Sequence, residues 1–161
     1  MGDNLVTEVS LRPTEEADLP LLLAWRHNPQ VMRYFVDGGE TWEEHWRWWQ
    51  SKPCSFIIRY RSRPVGEVHY TLDALPEVGI YIGETALWGK GIGREAMALL
   101  LQELRASTWR HTPYEVVVAS VHPDNKPSIR MFRALGFNFE RVKDDGYLLF
   151  RKHLGEVEAK S

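Results

Sequence analysis

The chain has 161 residues, of which 43% are hydrophobic and 26% are charged, and its formal net charge is -2 at pH 7. This composition predicts one globular domain over residues 1–161, and the balanced charge gives no reason to expect a nucleic-acid partner. The one cysteine, Cys54, excludes an internal disulfide and fits a cytoplasmic protein. No apolar run approaches the roughly 18 residues of a membrane span, so no membrane partner is expected.

The first half of the chain predicts helices between two groups of strands. Thr14 and Thr41 are placed as helix N-caps, the second with Glu44 in a capping box. The predicted helical segments are Thr14 to about Trp25, Asn28 to about Tyr34, and the segment after Thr41. Alternating or apolar runs bounded by turn residues predict strands, and these are Leu5–Leu11, Cys54–Tyr60, Val65–Leu72 and Glu77–Ile82.

The second half begins with glycine-rich residues 89–93, which open a long predicted helix to about Ser107. The apolar run Val116–Val121 predicts a strand buried on both faces. Another helix is expected from Pro123-Asp124-Asn125 to Gly136, a residue that commonly ends helices. The turn Asp144-Asp145-Gly146 joins two final strands, Phe137–Val142 and Tyr147–Lys152.

This order of elements predicts an α/β domain. We expect a central sheet that is mixed but mostly antiparallel, with about seven strands flanked by about four helices. The core spans about residues 5–152, and residues 155–161 form a polar tail.

The sharpest feature is the sequence Trp88-Gly89-Lys90-Gly91-Ile92-Gly93-Arg94 between a strand and a helix. Glycines let backbone N–H groups approach an anion, and the helix N-terminus adds free donors, so a phosphate or pyrophosphate is expected here. The spacing of the glycines excludes a Walker A loop. Residues 91–96 do match the dinucleotide pattern G-x-G-x-x-A, but four predicted strands precede them, whereas that pattern follows the first strand of its fold.

The same loop resembles the R/Q-x-x-G-x-G/A signature of GNAT N-acetyltransferases, with Trp88 at the Arg/Gln position. Asn125, Ser128, Phe132 and Gly136-Phe137 resemble a second motif of that family, N-x-x-A/S-x-x-x-Y-x-x-x-G-F. The segments Leu11–Asp18 and Trp25–Val31 resemble its RimJ/RimL-like branch, which acetylates protein N-termini or small amines. The resemblance implies a GNAT-like domain, a monomer or homodimer, that moves an acetyl group from acetyl-CoA to a primary amine, such as a peptide N-terminus or an amino sugar, by direct transfer in a ternary complex.

The resemblance also implies a cofactor site. The strand before the loop would splay from its neighbour, and an N–H near Tyr81 or Ile82 would polarise the thioester carbonyl. Phe132 stands where the family commonly has a tyrosine that protonates the leaving thiolate, so Tyr81, water or unaided departure must serve instead. The implied cofactor-binding residues are Ile80, Tyr81, Ile82, Trp88, Gly89, Lys90, Gly91, Ile92, Gly93, Arg94, Asn125, Ser128 and Phe132.

Acyl transfer to an amine needs a group that removes the proton of the ammonium. Alternation places Glu67 and His69 on one strand face, which makes them the first candidates, and Glu84 and His122 stay open. Cys54 is interpreted as a structural thiol, and no metal site is predicted. The sequence also leaves open a non-catalytic acetyl-CoA sensor and a dinucleotide-binding oxidoreductase.

The acceptor site is expected near the first helices, by the same resemblance. Trp42, Trp46 and Trp49 share one helix face, and this stripe fits either a core or one wall of a cleft, while Trp48 lies off it. The candidate acceptor-binding residues are Trp25, Arg26, Trp46 and Trp49.

Overall fold

The computed structural model describes residues 8–106 and 114–155. Within these residues the strands are β1 (Val9–Pro13), β2 (Cys54–Tyr60), β3 (Arg63–Tyr70), β4 (Val78–Ile82), β5 (Val116–Val121), β6 (Asn138–Val142) and β7 (Leu148–His153). The helices are α1 (Leu19–Arg26), α2 (Trp42–Gln50), α3 (Ile92–Arg105) and α4 (Lys126–Ala134). The described residues therefore confirm the predicted α/β fold with seven strands and four helices.

The strands form two sheets rather than the one central sheet that was predicted. Strands β1 to β4 pair antiparallel in sequence order, and the second sheet has the order β5-β7-β6, also antiparallel. Within the described residues the two sheets meet at one parallel bridge, Glu77 with Val118. Beyond this bridge β4 and β5 separate, which is the splaying that the resemblance implied.

Two hydrophobic cores stabilise the two faces of the first sheet. The larger core joins α3 and α4 to strands of both sheets, with Met97, Leu100 and Phe150 fully buried. The smaller core packs α1 and α2 on the opposite face, around Leu19 and Leu22. Burying one such side chain contributes about 1.5 to 3 kcal/mol, so each face is firmly covered except where a cavity opens.

The beginning of the chain differs from the prediction at two places. Thr14 is not an N-cap: its hydroxyl is buried and lies 2.8 Å from Ser55 Oγ. Glu15 instead precedes a short 3-10 turn, Glu16–Asp18, and α1 starts at Leu19. The strand predicted over Leu5–Leu11 lies partly outside the described residues and runs on to Pro13, because Pro13 still pairs with Phe56.

The short helix predicted over Asn28–Tyr34 is also wrong, because these residues form turns. Asn28 Oδ1 accepts a hydrogen bond of 2.9 Å from the Gln30 N–H, and this local bond competes with a helical backbone. The helix after Thr41 does form as predicted, with the capping box between Thr41 and Glu44 complete. No helix among the described residues is long and apolar enough to cross a membrane.

An ion pair fastens β1 to the start of α1. The Arg12 guanidinium donates to both carboxylate oxygens of Asp18, at 2.7 and 2.8 Å, and Asp18 also accepts from the Glu15 N–H at 2.7 Å. The Arg12 hydrogen bond is the largest cause of the lowered pKa of Asp18. The charged form of Asp18 is therefore the form that holds this corner of the fold.

Replacing Asp18 by Asn should lower the free energy of unfolding at pH 7 by about 1 to 3 kcal/mol, because hydrogen bonds to a charged group are lost. A depressed carboxyl pKa stabilises the fold above the unfolded-state pKa and ceases to do so as pH falls through the folded-state pKa. Urea denaturation should therefore show the difference shrinking as the pH is lowered. Asp144→Asn, in an exposed turn, is the control, and an equal loss in both variants would contradict the role of the ion pair.

Candidate active site

The outer edge of β4 carries backbone groups that pair with no strand among the described residues. The Thr71 N–H donates to the Glu77 carbonyl and the Gly83 N–H to the Val65 carbonyl, so in this antiparallel register Gly79 and Tyr81 also face β3. The N–H groups of Ile80 and Ile82 therefore point away from β3, towards the gap beside β5. The sequence offered the N–H of Tyr81 or of Ile82 as the group that polarises the thioester carbonyl. The choice of Tyr81 is wrong, because its N–H faces Glu67 of β3, whereas the Ile82 N–H faces the gap.

A cleft of about 610 Å³ lies along this free edge and continues to the start of α3. Eleven of the implied cofactor residues line it: Ile80, Tyr81, Ile82, Trp88, Gly89, Gly91, Ile92, Gly93, Arg94, Asn125 and Ser128. Further lining residues that the sequence did not single out include Arg33, Tyr34, Phe35 and Arg130. No local motif marks these four, because they reach the cleft only through the folding of the 28–35 turns and of α4.

The glycine loop leaves room for an anion. Gly89 and Gly91 have φ angles of 80° and 82°, which favour glycine, and a Cβ at either would meet nothing within 4 Å. Gly91 is the N-cap of α3 without a side-chain cap, so free backbone donors face the cleft. With Arg33, Arg94 and Arg130 on the walls, the site fits a pyrophosphate-bearing ligand such as coenzyme A.

Two implied cofactor residues do not line the cleft. The Phe132 side chain is 3% exposed because it lies on the buried face of α4. Its ring packs edge-on against that of Phe137, with the ring centroids 4.9 Å apart. Lys90 is exposed and outside the lining set. Asn125 lines the cleft and also caps α4 by accepting from the Ser128 N–H at 3.3 Å, so both roles considered for it are compatible.

Trp88 stands at the Arg/Gln position of the family signature, and its indole ring binds the backbone of β4. The indole Nε1–H donates to the Ile82 carbonyl at 3.0 Å, which satisfies one of the backbone groups on the free edge of β4. The Ile82 N–H is not affected by this bond. Trp88 thus covers the end of the edge nearest the glycine loop.

A second cavity, of about 500 Å³, lies on the α1–α2 face of the sheet. It is lined by Leu22, Arg26, Asp37, Gly38, Gly39, Glu40, Glu44, His45, Trp48, Glu67, His69 and Tyr81. Tyr81 also lines the cofactor cleft, so the two spaces meet at this residue. The second cavity therefore lies next to the first cleft.

A hydrogen-bonded chain of buried groups ends in this cavity. Thr14 Oγ1 lies 2.8 Å from Ser55 Oγ, which donates to Glu67 Oε2 at 2.6 Å, and Glu67 Oε1 lies 3.0 Å from His69 Nδ1. Glu67 is only 2% exposed, whereas the His69 side chain keeps 36% of its surface exposed. Glu67 and His69, two separate candidates in the sequence, are thus one hydrogen-bonded unit.

The charges around His69 and Tyr81 set their protonation. Desolvation lowers the pKa of His69, but the charge and the hydrogen bond of Glu67 outweigh it, so its pKa is raised above the usual value. Desolvation, followed by the charge of Glu67, raises the pKa of Tyr81 well above its usual value. Tyr81 therefore stays protonated at neutral pH, while His69 titrates above the range of a free histidine.

The second cavity has acidic walls. Asp37, Glu40, Glu44 and Glu67 line it, and the Arg26 guanidinium contacts the first of them at 3.1 Å and also pairs with Glu40. His45 is 1% exposed, and burial lowers its pKa. Neither of its ring nitrogens completes a hydrogen bond among the described residues, although Glu40 Oε2 lies 3.9 Å from Nδ1.

The other candidates of the sequence lie elsewhere. Trp25 is buried against Tyr81. Trp46, Trp48 and Trp49 all pack on the smaller core, and of these three only Trp48 lines the second cavity. His122 packs between Tyr34 and Tyr147, and Glu84 precedes a 3-10 turn. Burial raises the pKa of the Cys54 thiol, which fits a structural role. The described residues hold no cluster suited to a metal.

Comparisons with known proteins agree with this geometry. A family model described as an acetyltransferase (GNAT) domain matches residues 8–138. An uncharacterised protein of Methanocaldococcus jannaschii is 37% identical over 141 residues, 81% of this chain and 28% of that protein. Human alpha/beta-tubulin-N-acetyltransferase 9 is 29% identical over 140 residues, 73% of this chain and 65% of that protein. The chain thus spans less than two thirds of either relative.

A crystal structure of a domain from Methanocaldococcus jannaschii superposes with a TM-score of 0.80 at 33% identity, over 90% of this chain and 97% of that one. In this fold the glycine loop follows the fourth strand, so the dinucleotide-binding oxidoreductase is set aside. Because the family model matches most of its length, the chain belongs to the GNAT acetyltransferase family.

Proposed function

We propose that this enzyme acetylates the primary amine of a small hydroxylated molecule, such as an amino sugar, by direct transfer in a ternary complex. The observation that carries the proposal is the Glu67–His69 pair in a cavity that shares the Tyr81 wall with the cofactor cleft. A proton acceptor beside the donor cleft is what transfer to an amine requires. The same pair argues for a catalyst and against a non-catalytic acetyl-CoA sensor.

In the proposed complex the glycine loop and the β4 edge hold the cofactor. When bound, acetyl-CoA supplies an acetyl group activated as a thioester. The backbone N–H groups at Gly91 and Gly93 serve the pyrophosphate, and Arg33, Arg94 and Arg130 offer charges to phosphates. The backbone of Ile80 would hold the pantetheine arm as an added strand, and the Ile82 N–H would be the donor available to negative charge on the carbonyl oxygen.

His69 is the proposed general base. Ser55 donates its hydroxyl proton to Glu67 Oε2, so Glu67 Oε1 is left to accept from the Nδ1–H of His69. This arrangement leaves Nε2 of the neutral ring as the free proton acceptor. Glu67 positions the ring and stabilises the imidazolium that forms when the amine gives up its proton.

Tyr81 is the proposed proton donor for the leaving thiolate in place of Phe132, which has no acidic proton. Its hydroxyl stays protonated at neutral pH because burial raises its pKa. A thiol pKa near about 8.5 also lets the thiolate leave unaided, so we expect Tyr81 to matter less than His69.

The acceptor is inferred from the cavity walls. Carboxylates accept hydrogen bonds from hydroxyl and ammonium groups, and a neutral imidazole both donates and accepts, as a sugar hydroxyl does. Trp48 adds a flat apolar face and stacks on His45 with rings 5.3 Å apart. A volume of about 500 Å³ accommodates a small molecule. Peptide N-termini are the competing acceptor class, since a 29% identical relative is named an N-acetyltransferase of tubulin and the opening segments resemble the RimJ/RimL-like branch.

A thiol-release screen with acetyl-CoA tests the proposal. The amine panel contains amino sugars, aminoglycosides, polyamines, plain alkyl amines and peptides with free N-termini. Amino sugars should give the highest kcat/KM. Turnover of peptides alone would replace the acceptor class, and acetyl-CoA binding without turnover of any amine would support the sensor.

Gly93→Asp should raise the Kd for coenzyme A at least about tenfold, because a carboxylate placed in the cleft repels pyrophosphate. The fold should persist: a Cβ at Gly93 meets Ile80 and Met131 only at an ordinary 3.7 Å, and an acidic residue in the first turn of a helix is favourable. Tryptophan fluorescence titration measures the Kd. Gly155→Asp, in open space, is the control, and wild-type affinity in a folded Gly93 variant would refute the loop assignment.

The pH profile of kcat should identify the base. In the wild type the rate should rise through an ionisation above the usual histidine pKa, since Glu67 raises the pKa of His69. His69→Ala should remove this limb and lower kcat by about 10²-fold. Glu67→Gln should move the limb to lower pH, because the charge that raises the pKa is gone. His153→Ala, exposed at the end of β7, should leave the profile unchanged, and an unchanged profile in both site variants would make neither residue the base.

Trp48→Ala should raise the KM for the best acceptor by about 3- to 10-fold, the equivalent of a lost aromatic contact. The Kd for coenzyme A should not change, because Trp48 lines only the second cavity. Trp42→Ala is the matched control on the same helix, since Trp42 is 44% exposed and lines neither cavity. Equal effects of the two substitutions on acceptor KM would contradict the placement of the acceptor.

A further inference from the structure

Gly79 lies directly opposite His69 in the β3–β4 ladder. Residues that face each other in this way normally hold their Cβ atoms about 4.5 to 5.5 Å apart, with the side chains standing side by side. Gly79 has no side chain, and the His69 ring occupies the space instead. A Cβ built on Gly79 would lie 2.6 Å from His69 Nε2 and 2.7 Å from Cε1, closer than van der Waals contact allows.

The backbone does not need a glycine at this position. The φ angle of Gly79 is not among the positive values found at the glycines of the turns and of the loop, so alanine could adopt the same conformation. The conflict that alanine would create is with the imidazole alone.

The ring cannot move aside without a loss. Its Nδ1 is held by Glu67 at 3.0 Å, and Glu67 is itself buried and held by Ser55 at 2.6 Å. If Nε2 moves away from Gly79, the ring must rotate or shift, and this distorts the hydrogen bond between Nδ1 and Glu67.

We propose that Gly79 is a positioning residue that lets the His69 imidazole lie across β4 with Nε2 in place to accept the proton of the acceptor amine. This inference rests on the proposed function in that His69 is the base. Gly79 itself touches no reacting atom, and its role is to keep the space over the strand empty for the ring.

Gly79→Ala should therefore act through His69. We expect kcat to fall by about 10-fold or more, because a displacement of about an ångström in a catalytic group is costly, while the Kd for coenzyme A stays within about twofold of wild type. In the His69→Ala background the same substitution should change kcat by less than about twofold, because coupled residues are not additive. Gly155→Ala, where a Cβ meets nothing within 4 Å, is the control.

NMR titration of the His69 ring gives a readout that is independent of turnover. The charged groups that face the ring are Glu67 on its own strand, Arg26 from α1 and Asp37 from the segment after it. Glu67 raises the pKa of His69, so a ring displaced from Glu67 should titrate at lower pH in Gly79→Ala than in wild type. A Gly79→Ala protein with an unchanged His69 titration, or with effects that add to those of His69→Ala, would overturn the proposal.

The two levels of the argument fail differently. Wild-type kcat in His69→Ala would refute the proposed base and with it the catalytic consequence of Gly79. Loss of activity in His69→Ala together with wild-type kcat and titration in Gly79→Ala would leave the base in place and refute only the positioning role.

Discussion

The unpaired edge of β4 is the constraint on which the rest of the site depends. Backbone N–H and C=O groups must find partners wherever water is displaced, and beyond the Glu77–Val118 bridge β5 no longer supplies them. The indole of Trp88 takes the Ile82 carbonyl, but the N–H groups of Ile80 and Ile82 still face the gap. An extended ligand that pairs with this edge completes the sheet, and the glycine loop at the start of α3 stands at the end of the same gap.

Once the edge of β4 is fixed, the alternation of a strand decides which side chains lie on each face of the sheet. Ile80 and Ile82 turn their side chains towards the larger core, and Tyr81 turns its ring to the face of Glu67 and His69. The buried carboxylate of Glu67 would be unfavourable without partners. Ser55 and His69 satisfy it, and Thr14 extends the chain of hydrogen bonds into the core. Thr14, which the sequence predicted as a helix N-cap, belongs to this hydrogen-bonded chain instead.

The two cavities differ sharply in charge although the chain as a whole is nearly neutral. The net charge of the chain is -2, but its charges are unevenly placed. Arg33, Arg94 and Arg130 line the cofactor cleft, whereas four carboxylates and one arginine line the second cavity. Arginines attract phosphates, and carboxylates attract cationic and hydroxylated groups. Tyr81 belongs to the walls of both spaces.

The sequence by itself determined the elements whose signals are local. The strands Cys54–Tyr60 and Val116–Val121 and the capping box of Thr41 appear where the pattern placed them, and the glycine loop and Asn125 line the cleft, because turn chemistry and periodicity act over a few residues. Only the tertiary structure decided that Glu67 and His69 form one hydrogen-bonded unit and that the N–H of Ile82 rather than of Tyr81 faces the gap. It also decided that Trp48, rather than Trp46 or Trp49, lines the second cavity. The burial of Phe132 in the core was likewise visible only in the structure. Each of these depends on register, helix rotation or contacts between distant segments, and none of those is encoded within a short window of sequence.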